Sequence, residues 1–210
     1  MIKLYYADIR TCLPCRSKLE KTLPPGRAKR VKSCLRDDDK VRCLAAWLLM
    51  ARILGTRGFL AEDELFTGSN GKPYLKNGPF FNLSHSGFHV LLATGEVELG
   101  VDIEEQRADE GPALAHTAFH ASELAALPKK NSIQHIYDLW TAKESYLKWL
   151  GSGLTRETAS FEVKLRGRKG FIAERPELNL RLYDAVPGYS MAVCAASILP
   201  QQARLVSIIE

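Results

Sequence analysis

The sequence predicts an α+β protein made of two similar halves. The predicted elements run in the order strand, helices, strands up to about Gly95, and the same order returns from Gly100 onward. The chain has 210 residues, 46% of them hydrophobic and 25% charged, which is typical of a globular domain able to bury a sizeable core. Two such halves would place a cleft at their seam, so we expect subdomains at 1–98 and 99–210, with the active site between them.

The first half opens with a strand pattern and then turns helical. Carboxylates favour a helix N-terminus, so Asp37-Asp38-Asp39 predict the start of its longest helix. Turn residues predict loops at 68–74 and, as a polar turn, at Ser84-His85-Ser86-Gly87. In order, we expect a strand at 1–9, helices at 11–23, 27–36 and 38–54, and strands at 80–84 and 88–94.

The second half begins with an alternating strand and a polar loop, and its longest helix ends at Gly151-Ser152-Gly153. In order, we expect a strand at 97–104, a loop at 105–112, helices at 113–118, 121–127 and 131–149, and strands at 160–165, 171–173, 178–184, 190–198 and 204–209.

The first strand of the second half carries an acidic pair. In an extended strand, residues i and i+2 point the same way, about 6–7 Å apart, so Asp102 and Glu104 can reach one point. Hard oxygen donors suit Mg²⁺ or Mn²⁺. The alternative is a sheet with a solvated acidic face.

Further candidates lie on the 131–149 helix and in the first half. Trp140, Glu144 and Lys148 share one helical face, where Glu144 could supply a third carboxylate or merely form a surface ion pair with Lys148. Basic and polar groups that could bind phosphate, or could simply be solvated, are Arg27, Arg30, Arg42, Lys72, Ser84 and His85. Taken together, these acidic, basic and hydroxyl residues could bind a polyphosphate and a divalent cation.

Charge and hydropathy indicate which kinds of partner the protein could bind. The net charge of +5 favours an anionic partner, but it is too weak and too scattered to argue for nucleic acid. No apolar run approaches the ~18 residues of a membrane span. The N-terminus lacks a signal-peptide layout, so we expect a cytoplasmic protein.

The five cysteines give a competing hypothesis. An odd number without a secretion signal argues against a disulfide framework. Cys12-Leu13-Pro14-Cys15 follows a strand, which leaves a thiol-redox role open, although the surrounding βαβ pattern of such proteins is missing. A zinc site with Cys34 and Cys43 would need a second close pair.

Five motifs in this order resemble the 4′-phosphopantetheinyl transferase superfamily, in its Sfp-type branch. They are Gly71-Lys72-Pro73, Phe81-Asn82-Leu83-Ser84-His85-Ser86-Gly87, Gly100-Val101-Asp102-Ile103-Glu104, Phe119-x-x-x-Glu123 and Trp140-x-x-Lys143-Glu144-Ser145-x-x-Lys148. The similarity spans about residues 1 to 195. It implies a single monomeric chain of two halves related by pseudo-two-fold symmetry.

The resemblance also implies a reaction. The 4′-phosphopantetheine arm of coenzyme A moves to a serine of an acyl or peptidyl carrier protein, and adenosine 3′,5′-bisphosphate is released. By resemblance, Asp102, Glu104 and Glu144 bind Mg²⁺, Glu144 is also the base, and Lys148 holds the reacting phosphate. The groups implied to hold coenzyme A are Arg27, Arg30, Arg42, Lys72, Ser84 and His85. A non-catalytic coenzyme A or nucleotide-binding protein is the main alternative, and it would not need three converging carboxylates.

Overall fold

A computed structural model describes residues 1–55, 64–130, 132–151 and 157–209. It confirms the α+β class. The helices are α1 (Arg16–Glu20), α2 (Pro25–Ser33), α3 (Asp37–Leu54), α4 (Gly111–Ala118), α5 (Ala121–Ala125) and α6 (Ser132–Leu150), with 3-10 helices at Ile9–Cys15 and Thr158–Ser160. The strands are β1 (Lys3–Asp8), β2 (Leu65–Thr67), β3 (Pro73–Leu75), β4 (Phe80–Ser86), β5 (His89–Gly95), β6 (Leu99–Glu105), β7 (Val163–Arg166), β8 (Lys169–Ile172), β9 (Arg175–Tyr183), β10 (Tyr189–Ala195) and β11 (Arg204–Leu205).

Two larger sheets repeat one pairing order. The first sheet has the order β11-β1-β5-β4 and the second β6-β10-β9-β8-β7, while β2 and β3 form a separate pair. In each half the opening strand pairs antiparallel with the last long strand, which pairs antiparallel with the strand before it. Along the chain, each half also shows the order strand, helices, strands that the sequence predicts. A rotation axis relating the halves stays a prediction.

The C-terminal segment returns to the first half. β11 pairs in parallel with β1, with Tyr5 opposite Arg204, and Ile208 is buried in a core that includes Ala7 and Val41. The strand expected at 204–209 covers only Arg204–Leu205. The division of the chain at residue 98 stays a prediction, and β11 belongs to the sheet of the first half although it follows that division.

The polar turn expected at Ser84-His85-Ser86-Gly87 is wrong, because β4 continues to Ser86. Cross-strand pairing with β5, which places Ser84 opposite Leu91 and Ser86 opposite His89, outweighs the turn preference of these polar residues. The reversal comes at Gly87, whose φ is +50°. A Cβ there would also lie 2.2 Å from Tyr189 Oη.

Within the described residues, three apolar cores hold the elements in place. The α3 helix packs on the first sheet through residues such as Trp47 and Leu49, and α6 packs on the second sheet through Leu139 and Tyr146. The third core joins the halves, and it contains Leu4, Leu91, Leu99, Val101, Ile103, Met191 and Val193. In the described part of the chain, no helix is both long and apolar enough to cross a membrane.

Candidate active site at the seam of the two sheets

The apolar core between the two halves fixes the orientation of β6. Val101 and Ile103 point into the core between the halves. Asp102 and Glu104, which alternate with them along the strand, therefore point to the opposite side. Asp102 is only 2% exposed. A solvated acidic face is therefore the wrong interpretation of Asp102.

Gly100 lets α6 lie directly against β6. A Cβ at this position would come 2.0 Å from the Ser145 carbonyl oxygen and 2.4 Å from the Trp149 nitrogen, both backbone atoms of α6. Only glycine permits so close an approach of helix and strand. This packing brings the Glu144–Lys148 turn of α6 over the acidic pair.

Lys148 reaches the strand instead of a surface partner. Its Nζ donates to Asp102 Oδ1 at 2.6 Å and to Ser84 Oγ at 2.8 Å. Three segments that are distant in sequence thus meet at one point: the end of α6, the middle of β6 and the middle of β4. An isolated surface pair between Glu144 and Lys148 does not describe this arrangement.

β4 faces β6 through a row of polar side chains. Ser84 Oγ donates to Asp102 Oδ1 at 2.7 Å, and Ser86 Oγ donates to Glu104 Oε2 at 2.6 Å. Asn82 Oδ1 accepts from the Val101 N–H at 2.9 Å. Asn82 and Ser86 were not among the predicted site residues. Their spacing, two residues either side of Ser84, would have placed them on one strand face had β4 been predicted at full length.

The carboxylates fit a divalent cation. Among the described residues, no group of three His, Cys, Asp or Glu side chains is already gathered for metal binding. However, within the same described part, Asp102 Oδ2 and Glu144 Oε1 are buried without a hydrogen-bond partner. Burial, followed by the charge on Asp102, raises the pKa of Glu104 to about 7 and that of Glu144 to about 7. Crowded, desolvated carboxylates with free oxygen atoms suit a hard cation.

Three of the predicted phosphate-binding residues meet in one cavity. Arg27, Arg30 and His85 line a space of about 520 Å³, together with Trp47 and Asn82. The guanidinium carbon of Arg27 lies 4.8 Å from the centre of the Trp47 ring, a cation–π contact that positions the charge. The cavity adjoins the carboxylate site, because Asn82, which lines it, also accepts from the N–H of Val101, the residue before Asp102.

Arg42 and Lys72 lie beside this cavity without lining it. Arg42 Nη2 contacts Asp39 at 2.6 Å and Nη1 donates to the Gly87 carbonyl at 3.2 Å. Lys72 Nζ contacts Glu98 at 2.6 Å and also donates to the Leu99 carbonyl. Each would have to exchange a partner to contact a ligand.

Two residues of the quoted motifs support the fold instead. Lys143 Nζ lies 2.9 Å from Glu123 Oε2 in a pair whose side chains are 0% and 2% exposed. Lys143 also donates to the Phe161 carbonyl, while Glu123 accepts from the His120 and Val163 N–H groups. This buried pair fastens α6 to α5 and to the start of β7.

The cysteines do not resemble a redox centre. All five are free thiols. Burial, then the neighbouring Cys15, raises the pKa of Cys12 to about 11, whereas reactive C-x-x-C thiols have lowered values. Cys34 and Cys43 both border the basic cavity, and burial raises the pKa of Cys43. The burial of Cys12 and the raised pKa of its thiol therefore disfavour the thiol-redox alternative.

Comparison with known proteins shows the family to which the chain belongs. The family model of the 4′-phosphopantetheinyl transferase superfamily matches residues 98–194, which include β6 and α6. "4′-Phosphopantetheinyl transferase ffp" of Bacillus subtilis is 36% identical over 170 residues, covering 76% of this chain and 75% of the relative. The chain therefore belongs to the 4′-phosphopantetheinyl transferase superfamily, and it is an enzyme of the transferase class.

A further relative carries the name of the Sfp type that the sequence motifs resemble. "4′-Phosphopantetheinyl transferase Sfp" of Bacillus subtilis strain 168 is 29% identical over 184 residues, covering 83% of this chain and 82% of the relative. Among solved structures, the holo-(acyl-carrier-protein) synthase of Thermotoga maritima is 21% identical, with a TM-score of 0.39, and covers 47% of this chain and 61% of its own.

Proposed function

We propose that this enzyme transfers the 4′-phosphopantetheine arm of coenzyme A to a serine of an acyl or peptidyl carrier protein, releasing adenosine 3′,5′-bisphosphate. One observation carries the proposal. On β6, Asp102 is buried and Glu104 half-buried, and both lie beneath the Glu144–Lys148 turn of α6. The cavity lined by Arg27, Arg30 and His85 adjoins them. A protein that only bound coenzyme A would need the cationic cavity but not the desolvated carboxylates.

Asp102, Glu104 and Glu144 would hold the cation, which is Mg²⁺ in this proposal, with Mn²⁺ as a substitute. When bound, such an ion would offset negative charge on the pyrophosphate. The free oxygen atoms of Asp102 and Glu144 support this assignment. The raised pKa values of Glu104 and Glu144 support it as well, because a cation favours the ionised form that burial and, after it, the charge of Asp102 disfavour.

The basic residues would bind the donor. Arg27 and Arg30 offer planar forks for phosphate oxygens, and His85 adds a donor on the same cavity wall. Ser84 and Lys148 would turn from Asp102 toward the phosphate that is transferred. Arg42 and Lys72 would join after exchanging their present partners. Phosphoryl transfer requires mainly such positioning and charge neutralisation.

Glu144 would act as the base. A bound cation would favour the ionised form of its carboxylate, which is the form that can accept a proton. The carboxylate would take the proton from the carrier serine, directly or through a water molecule, which makes the hydroxyl oxygen nucleophilic.

The organisation of the molecule follows the same proposal. Residues 1–98 would bind the nucleotide and phosphates, and residues 99–210, apart from the returning C-terminal segment, would supply the metal site and catalytic helix. We also propose a cytoplasmic monomer that acts without nucleic acid or membrane. Its net charge of +5 would favour encounter with an acidic carrier.

Release of adenosine 3′,5′-bisphosphate tests the reaction. The enzyme is incubated with coenzyme A, Mg²⁺ and an apo-carrier, and the nucleotide products are separated by chromatography. The bisphosphate is expected only with the intact carrier, not with a carrier whose acceptor serine is alanine. Binding of coenzyme A without release, across both acyl and peptidyl carriers, would instead favour the non-catalytic alternative.

A further inference from the structure

Side chains of β4 take the place of a neighbouring strand for β6. Each is an edge strand of its own sheet, and no strand pairing joins them in the described ranges. Asn82 Oδ1 accepts from the Val101 N–H at 2.9 Å, and Ser86 Oγ accepts from the Glu105 N–H at 3.1 Å. Two outward N–H groups of this edge, those of Val101 and Glu105, are thus satisfied by the other half of the molecule.

Ser86 makes a second bond in the opposite sense. Its Oγ donates to Glu104 Oε2 at 2.6 Å. A serine hydroxyl has one hydrogen to give, and the bond accepted from Glu105 helps to fix where that hydrogen points. The hydroxyl therefore links the backbone position of β6 to the orientation of the Glu104 carboxylate.

We propose that Ser86 is a positioning residue for the divalent cation. Its hydroxyl fixes the position of one Glu104 oxygen and of the Glu105 N–H. A residue of the first half thereby affects the metal affinity of carboxylates in the second half. This inference rests on the proposed function, because it takes Glu104 to be a metal ligand. Removing such outer partners of ligating groups typically lowers metal affinity or activity 10–100-fold.

Metal affinity separates positioning from general support of the fold. A residue that only stabilised the seam would change the midpoint of unfolding and leave the affinity of the folded protein unchanged. A positioning residue changes the affinity of folded protein, and a substitute that keeps the hydroxyl restores it. Thr94 offers a matched control, since it is a buried hydroxyl residue, 8% exposed, on the adjacent strand β5.

The experiment measures Mn²⁺ binding by electron paramagnetic resonance, without coenzyme A or carrier. The variants are Ser86→Ala, Ser86→Thr and Thr94→Val, each checked for folding by circular dichroism. Ser86→Ala should weaken Mn²⁺ binding about 10-fold or more, Ser86→Thr should bind within about threefold of wild type, and Thr94→Val should match wild type. If Ser86→Ala does not fold, Ser86→Cys, which is close in size with a weaker donor, should show the same loss.

Activity assays give a second readout. For Ser86→Ala, the Mg²⁺ concentration at half-maximal activity should rise by the same factor, while kcat at saturating Mg²⁺ falls less. Wild-type Mn²⁺ affinity in folded Ser86→Ala would overturn the inference. Asp102→Ala distinguishes failure of the proposed metal site from failure of the Ser86 role alone. If Asp102→Ala binds Mn²⁺ like wild type, or if wild type binds none, the proposed metal site is wrong and the role of Ser86 is wrong with it.

Discussion

Lys148 Nζ and Asp102 Oδ1 lie 2.6 Å apart, with side-chain exposures of 28% and 3%. The lysine neutralises a carboxylate that would otherwise be buried with an uncompensated charge. A bound cation would take over this role and release Lys148 for a phosphate oxygen. The pair therefore connects the stability of the metal-free protein to its catalytic step.

Replacing Lys148 with methionine tests this connection. Without divalent cation, Lys148→Met should lower the free energy of unfolding by about 3 kcal/mol, because Asp102 loses its partner. Urea unfolding measures this loss, and Mg²⁺ should stabilise the variant more than it stabilises wild type. The transfer rate should fall at least about 100-fold, which corresponds to about 3 kcal/mol of transition-state stabilisation. An unchanged free energy of unfolding would show that the ion pair contributes nothing.

The raised pKa values of Glu104 and Glu144, each about 7, predict a pH-dependent stability. Between their ordinary pKa of 4.5 and about 7, the folded protein binds more protons than the unfolded chain. The contribution of these two groups to the free energy of unfolding is therefore fully present below pH 4.5 and is lost as the pH rises through about 7. In the metal-free protein this contribution should make the unfolding free energy decline over that window.

Mg²⁺ should reverse that decline, since it favours the ionised carboxylates. The measurement is urea unfolding at several pH values, with Mg²⁺ or with a chelator. Glu144→Gln, which cannot ionise, should show a shallower decline with the chelator. Equal slopes for wild type and variant would contradict the assignment of a raised pKa to Glu144.

Gly100→Ala should separate α6 from β6. The new methyl group would lie 2.0 Å from the Ser145 carbonyl oxygen, and backbone cannot move aside as a side chain can. We expect a loss of about 3 kcal/mol in unfolding free energy, at the upper end for overpacking, together with loss of activity. Gly111→Ala is the control, because its methyl group would first meet the mobile end of the Ile133 side chain, at 3.0 Å. Similar stability losses in both variants would refute the close-contact argument.

Arg27→Ala should weaken the binding of coenzyme A. The loss of a charge-assisted contact to phosphate, about 1.5–3 kcal/mol, raises the coenzyme A dissociation constant about 10-fold or more. Isothermal titration calorimetry measures this change. Lys29→Ala is the matched control, since Lys29 is an exposed cation on the same helix that does not line the cavity. Equal weakening by both variants would indicate a diffuse charge effect and no defined contact.

Much of the site could be predicted because local spacing encodes it. Alternation along β6 places Asp102 beside Glu104, and helical spacing places Glu144 beside Lys148. By contrast, the contact of Ser86 with Glu104 joins strands of different sheets, which no local pattern records. The underestimated length of β4 has the same origin, since pairing with β5 keeps Ser84 and Ser86 extended despite their preference for turns.

The return of the C-terminal segment to β1 also escaped prediction. Its short strand has only two residues, Arg204–Leu205, too few for an alternation pattern to reveal a partner. The partner is fixed by tertiary packing of Ile208 into the core of the first half. Thus most of the longer elements followed from the sequence, whereas the short pair β2 and β3, whose second strand begins within the loop expected at 68–74, and the contacts between distant segments required the structure.

Intact-mass spectrometry of apo-carriers provides the most direct test of the central claim. Acyl and peptidyl carriers are incubated with coenzyme A, Mg²⁺ and either wild-type enzyme or Asp102→Ala. Wild type should add one phosphopantetheine mass increment to a carrier, and the folded Asp102→Ala variant should add none over the same period. Modification by Asp102→Ala at the wild-type rate would contradict the proposed metal site, and no increment on any carrier with wild type would contradict the proposed transfer.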